Sequence, residues 1–153
     1  RHLLNRLHDN SIDVCFSYLA TNEISYKCIP YKTDEIIFVT NSQNIQFSNG
    51  IHNGEILHLP IIYSKFMPKS GFDWIHDIFP PHYVFQFTIS VIKEIIPFLL
   101  QYPYYAFLPR KLIEKELKDG LLIEIPLLDY HIPPLQSYII MKSNAKYNPL
   151  DYF

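Results

Sequence analysis

Apolar and polar positions change period along the chain, and those changes place the elements. Leu3, Leu4 and Leu7 recur at helical spacing and stop at Asp9-Asn10, so residues 1–8 read as the end of a helix. Ile12 to Tyr18 has a near-continuous apolar centre, the pattern of a strand covered on both faces, as in a parallel sheet. Tyr26 to Ile29 and Glu35 to Thr40 are predicted as two more strands, the second being the richest in β-branched and aromatic residues. Residues 41–56 lose the alternation and carry Asn49-Gly50 and Asn53-Gly54. A hairpin around one Asn-Gly is the local reading; a surface loop is better supported, because the flanks do not alternate cleanly. The preferred lobe boundary falls here. Leu59 to Tyr63 is the next strand.

Further on, Ser70-Gly71-Phe72-Asp73 has the spacing of a capping box, and Phe72, Trp74, Ile75, Ile78 and Phe79 form one helical face that Pro80-Pro81 ends. Tyr83 to Phe87 reads as a strand. Ser90 is expected to cap a helix whose Val91, Ile92, Ile95, Ile96, Leu99 and Leu100 face the core, and Pro97 inside it should kink it. Tyr105 to Leu108 is a strand, Pro109 sits where a helix can start without its N–H, and residues 110–118 form a short helix. Gly120 stands where a helix C′ residue needs a left-handed backbone, and Leu121 to Ile125 leaves as a strand. Pro126 and Pro133-Pro134 bracket a connector before a last strand, Ser137 to Met141. Strands alternating with helices predict an α/β fold with mostly parallel pairing.

Composition narrows the function. A hydrophobic fraction of 48% in 153 residues excludes a disordered tail and supports one good-sized core or two small lobes. Four glycines leave no room for a Gly-rich phosphate loop. The net charge of −2 argues against direct reading of a phosphate backbone, and the densest basic stretch, Arg110 to Lys118, also carries Glu114 and Glu116. No His-Glu-x-x-His, Cys-x-x-Cys or Gly-x-Ser-x-Gly occurs, so neither a metal, a cofactor nor a serine hydrolase is expected. Cys15 and Cys28 fall in apolar runs and read as two buried thiols; Cys15 as a nucleophile with a distant His is the weaker alternative. No run reaches membrane-spanning length and no signal peptide opens the chain, so a cytoplasmic setting is expected. The chain opens on Arg1 and is expected to be part of a longer protein.

Several stretches together resemble the effector-binding domain of LysR-type transcriptional regulators. Asp13 stands where that family has the aspartate opening its strand. Asp34-Glu35-Ile36-Ile37-Phe38-Val39 resembles the strand leading into a first crossing between lobes. Ile92 to Pro109 resembles the helix, turn and strand ending in Leu-Pro, and Gly120-Leu121-Leu122 resembles the Gly-x-Leu before the return crossing. Tyr102-Pro103-Tyr104 departs from the family's Gly-x-Gly. The resemblance implies a type II periplasmic-binding-protein-like α/β fold, with two lobes of mostly parallel sheets joined by two crossing segments. Residues 1–40 and 127–153 would form the first lobe, which is incomplete, and 41–126 the second. It also implies a winged helix-turn-helix domain absent from this chain, a homodimer or higher homo-oligomer, and DNA contact only through that missing domain.

In such folds ligands sit outside the carboxyl ends of strands, and in a two-lobe fold also between the lobes. The candidate effector-binding residues are Ser17, Tyr18, Thr40, Asn41, Ser64, Lys65, Phe66 and Thr88, with Tyr104 as a pocket wall. Their hydroxyls, amide and ammonium suit a small polar or anionic effector. The plainer reading is that polar strand ends satisfy turn backbones. Tyr105 and Trp74 are expected in the core. The function this implies is a ligand sensor that passes its change to DNA through the oligomer, and no catalysis. A solute-binding receptor of a transport system with the same fold is the alternative. An enzyme such as a dehydratase acting on a carboxylate substrate is a third, for which no acid–base pair is evident.

Overall fold

A computed structural model describes residues 14–17, 20–64 and 74–143. The expected helix at 1–8, Asp13 and the capping box at Ser70–Asp73 lie outside them. The elements are β1 (Val14–Ser17), β2 (Tyr26–Asp34), β3 (Ile36–Asn41), α1 (Asn53–Ile56), β4 (Ile61–Ser64), α2 (Ile75–Ile78), β5 (Phe87–Ile89) and α3 (Ile92–Gln101). β6 (Tyr105–Pro109), a 3-10 turn (Arg110–Ile113), α4 (Glu114–Lys118), β7 (Leu122–Glu124) and β8 (Leu135–Lys142) follow. The chain divides into two compact units, residues 1–33 with 135–153 and residues 34–134. The sequence-based boundaries after 40 and after 126 fall within the second unit, because β3 bonds to β6 and β7 along its length.

In the first unit β8 lies between β1 and β2, and β1 pairs with β8 antiparallel, Cys15 opposite Ile140. This corrects the parallel reading of β1. Its apolar centre reflects a small cluster of Cys15, Tyr26 and Ile140 on one side, while Phe16 is exposed on the other.

The second unit holds a five-stranded sheet in the order β5-β4-β6-β3-β7. β4 pairs parallel with β5 and β6; β3 pairs antiparallel with both β6 and β7. Four strands therefore run one way and β3 runs against them, so pairing in the two sheets is mixed. β3 and β6 are central, and Ile36 to Thr40 and Tyr105 to Pro109 are buried throughout, as a strand covered on both faces requires. On one face Ile37, Val39, Ala106 and Leu108 meet Ile95 and Leu99, one helical turn apart on α3. Burial of each of those two side chains contributes roughly 1.5–3 kcal/mol. On the other face Phe38 stacks on Tyr105 at 5.4 Å, and Phe107 meets Phe38 at 4.6 Å and Trp74 at 5.1 Å.

Local signals fared unevenly. α4 ends as expected. Gly120 has φ 73°, its N–H donates to the Leu117 carbonyl and the Leu121 N–H to the Glu116 carbonyl, the paired bonds of a Schellman motif. Pro109 closes β6 and precedes a 3-10 turn, not an α-helix. Ser90 does not cap α3; Val91 occupies the N-cap without a side-chain bond, and the helix runs on through Pro97. The strand predicted at 83–87 forms at Phe87–Ile89, where β4 supplies a partner. Residues 42–52 form turns and no hairpin; Gly50, at φ 130°, backs directly against Leu128.

Candidate functional site

The direction of β3 decides where the candidate residues lie. Ser64 and Ile89 are paired neighbours at the carboxyl ends of β4 and β5, and Thr88 pairs with Tyr63 one step earlier. Thr40, by contrast, pairs with Tyr105, and Ile61 also pairs with Tyr105. The end of β3 therefore lies at the rim where β4, β5 and β6 begin. Thr40 and Asn41 occupy the amino-terminal rim of the parallel strands; Ser64 and Thr88 lie toward the carboxyl rim. These four strand-end residues therefore do not share one rim, since the carboxyl-end rule applies to strands running in the majority direction.

At the amino-terminal rim the polar groups hold one another. Thr40 Oγ1, fully buried, donates to the Tyr104 carbonyl at 2.8 Å and accepts from Asn44 Nδ2 at 3.2 Å. Asn41 Nδ2 donates to the Leu100 carbonyl at 2.7 Å, and Asn41 Oδ1 accepts from the Gln43 N–H at 2.9 Å. Here the plainer reading of polar strand ends describes the geometry: these side chains seal the last turn of α3 and the tight turn Tyr102-Pro103-Tyr104, which closes with the Tyr104 N–H on the Tyr102 carbonyl at 2.9 Å. Tyr104 is half-buried, its ring edge-on to Phe87 at 4.9 Å and 5.0 Å from Phe98. Tyr105 and Trp74 are core, and burial pushes the Tyr105 hydroxyl up.

The carboxyl rim differs. Ser64 is buried, and its Oγ has no hydrogen-bond partner among the described residues. A buried hydroxyl left unpaired costs roughly 1–3 kcal/mol, so a partner arriving later would recover that cost. Thr88 beside it is exposed. Lys65, Phe66 and Tyr18 lie outside the described residues, and Ser17, half-buried opposite Tyr138, belongs to the first unit.

Two ionic clusters escaped sequence reasoning. Arg110, at the end of β6, donates through Nε to Glu35 Oε2 at 2.8 Å and through Nη2 to Glu35 Oε1 at 3.2 Å and to Glu124 Oε1 at 2.5 Å. Its own N–H reaches the Glu35 carbonyl at 2.8 Å. The hydrogen bond from Arg110 holds the Glu35 carboxyl below its ordinary value. A cavity of ≈ 140 Å³ lies beside this cluster, lined by residues including Glu35, Glu124, Tyr130 and His131. His52 pairs with Asp129 at 3.0 Å, and Asp129 also accepts from the Asn53 N–H at 2.9 Å. No local pattern marks partners 75 and 77 positions apart. Among the described residues no group of His, Cys, Asp and Glu could hold a metal ion. Cys15 is a free, buried thiol raised by burial, and β8 separates its strand from that of Cys28. Two strand spacings of about 4.8 Å exceed the ~7 Å Cα reach of a disulfide.

No family model matches the chain, and no curated protein matches it. Solved structures do. The OxyR C206 mutant of Corynebacterium glutamicum matches with TM-score 0.70 at 19% identity, over 95% of this chain and 47% of its own. The regulatory domain of MetR, a LysR family regulator from N. meningitidis, matches with TM-score 0.71 at 13% identity, over 97% of this chain and 72% of its own. The fold is that of a LysR-family regulatory domain. The BenM effector-binding domain carrying its effector benzoate also shares it, with TM-score 0.65 at 15% identity over 97% of this chain and 69% of that one. The type II periplasmic-binding-protein-like architecture expected from the resemblance is thus present, and the chain spans about half the length of the OxyR protein it matches. Among the described residues no helix is long and apolar enough to cross a membrane.

Proposed function

We propose that this chain is the effector-sensing part of a LysR-type transcriptional regulator, cytoplasmic and without catalytic activity. The observation that carries the reading is the shared fold over 95–97% of the chain with regulator domains, one of which holds its effector. The proposed effector is small and polar or anionic. Its proposed contacts on the second unit are Ser64, Thr88, Lys65 and Phe66; Ser17 and Tyr18 are candidates on the first unit considered by itself. The unpaired Ser64 hydroxyl supports this assignment, because a ligand acceptor would satisfy it. Thr40, Asn41 and Tyr104 act one step back, by fixing the sheet and α3. Homodimerisation through helix and edge-strand surfaces belongs to the same proposal; β5 is an edge strand, and Phe87 on it is exposed. DNA contact would come from a further domain of the whole protein.

A thermal-shift screen of small carboxylic acids against the full chain tests the reading. An acid that binds only the folded form stabilises it by mass action, about 2.7 kcal/mol at a hundredfold excess over Kd. The expected hit raises Tm saturably and loses most of its effect in Thr88→Ala. A screen in which no acid shifts Tm, or a hit indifferent to both Thr88→Ala and Ser64→Ala, would count against the proposal.

A further inference from the structure

Behind the amino-terminal rim, on the side of the sheet opposite to the carboxyl ends, lies a second cavity of ≈ 220 Å³ lined by Asn41, Gln43, Asn44, Gln101, Tyr102 and Pro103. Its chemistry is unusually uniform. Four of the six lining residues carry carboxamides, one a phenol, and none a charge at neutral pH.

The four amides divide into two roles. Asn41 and Asn44 are committed to the frame: Asn41 bonds to the Leu100 carbonyl and the Gln43 N–H, and Asn44 to Thr40 Oγ1. The Asn44 N–H also donates to the Asn41 carbonyl at 2.9 Å. Gln43 and Gln101 are exposed, and neither side-chain amide has a described hydrogen-bond partner. Each offers a carbonyl acceptor and two N–H donors. The two free amides thus stand on walls already locked by bonds between the 41–44 turn and the end of α3, which lowers the ordering cost of binding. Tyr102 adds a half-exposed ring, supported from behind by Phe98 at 4.8 Å. Pro103 adds a rigid apolar surface.

A ligand matched to this cavity has mixed donors and acceptors, no charge, and one flat apolar face to lie on a tyrosine. An anion would find no cation here, and a cation no carboxylate. We propose that the Gln43–Gln101–Tyr102 cavity is a binding site for a neutral polyhydroxylated ring, a monosaccharide or cyclitol, separate from the effector contacts at Ser64 and Thr88. The small volume and the lack of charge set its affinity at roughly millimolar.

The test is side-chain amide NMR on the full chain, titrated in turn with D-glucose, D-galactose and myo-inositol, and with sodium benzoate as an anionic control. At least one of the three neutral rings should move the Gln43 and Gln101 side-chain resonances saturably. In Gln43→Ala/Gln101→Ala, which removes two exposed side chains and leaves the frame bonds in place, that Kd should rise about tenfold, the loss of two ordinary hydrogen bonds. Tyr102→Ala should weaken the same ring while Asn41 and Asn44 resonances stay put. Absence of saturable shifts with all three rings, a Kd unchanged in the double variant, or benzoate displacing the ring from these amides would each overturn the proposal. None of these outcomes bears on the effector reading, whose test probes the opposite rim.

Discussion

Two buried hydroxyls on one sheet should respond to deletion with opposite signs. Among the described residues Thr40 Oγ1 has two partners and Ser64 Oγ has none. Thr40→Val keeps the shape, removes both bonds and leaves the Tyr104 carbonyl without that donor. At about 1 kcal/mol per bond, with an added cost for stranding a sealed acceptor, the loss is about 2–3 kcal/mol. For a chain of this size that lowers Tm by roughly 6–9 °C. Ser64→Ala removes a group already unpaired, so part of a cost of roughly 1–3 kcal/mol disappears, offset by a small void. The expected change is between zero and about 1 kcal/mol of stabilisation, a Tm unchanged or raised by roughly 3 °C. Trp74, the single tryptophan, is buried in the same unit against Phe107, so urea unfolding followed by its fluorescence reads both variants directly. On the proposed reading, the same Ser64→Ala protein should lose affinity for any acid found in the screen, because the acid would no longer have that hydroxyl to pair with. A Ser64→Ala chain as unstable as Thr40→Val would refute the reasoning, since it would mean that Ser64 is an ordinary satisfied core residue.

Gly120→Ala should cost about 1–2 kcal/mol by urea unfolding, purely from the left-handed backbone, since an added Cβ would meet nothing within 4 Å; Gly54→Ala, equally open and inside α1, should be neutral or slightly stabilising. Arg110→Ala should cost roughly 1 kcal/mol at neutral pH, a modest figure because the carboxylate partners are well exposed. The sign with pH follows from Glu35, whose folded pKa lies below the ordinary 4.5: its contribution is complete above that value and fades as pH falls through the folded pKa. Stability curves of the native chain and Arg110→Ala should therefore converge in acid. A difference that persists there would assign Arg110 a packing role instead.

Much of the fold was legible because it rests on short-range rules. The Leu-Pro end of β6, the Schellman glycine at 120 and the apolar turn-to-turn spacing of Ile95 and Leu99 are each set within a few residues. Elements that need a distant partner were displaced: β5 formed where β4 offers a ladder, and the apolar centre of β1 marked burial without revealing its antiparallel neighbour β8. The same limit applies to the candidate site residues. The polar strand ends could be named, but not which rim they share.

What the chain's residues determined alone was the inventory: alternating strands and helices, two thiols and no metal motif, an uncharged Asn/Gln-rich turn, and hydroxyls at strand ends. What only the tertiary structure decided was direction and pairing. β3 runs against its neighbours, so Thr40 was drawn into the frame of α3, while Ser64 at the other rim has no partner among the described residues. Strand direction and the joining of Arg110 to Glu35 across 75 positions are settled by long-range backbone bonds, and a local window of sequence contains only one side of each.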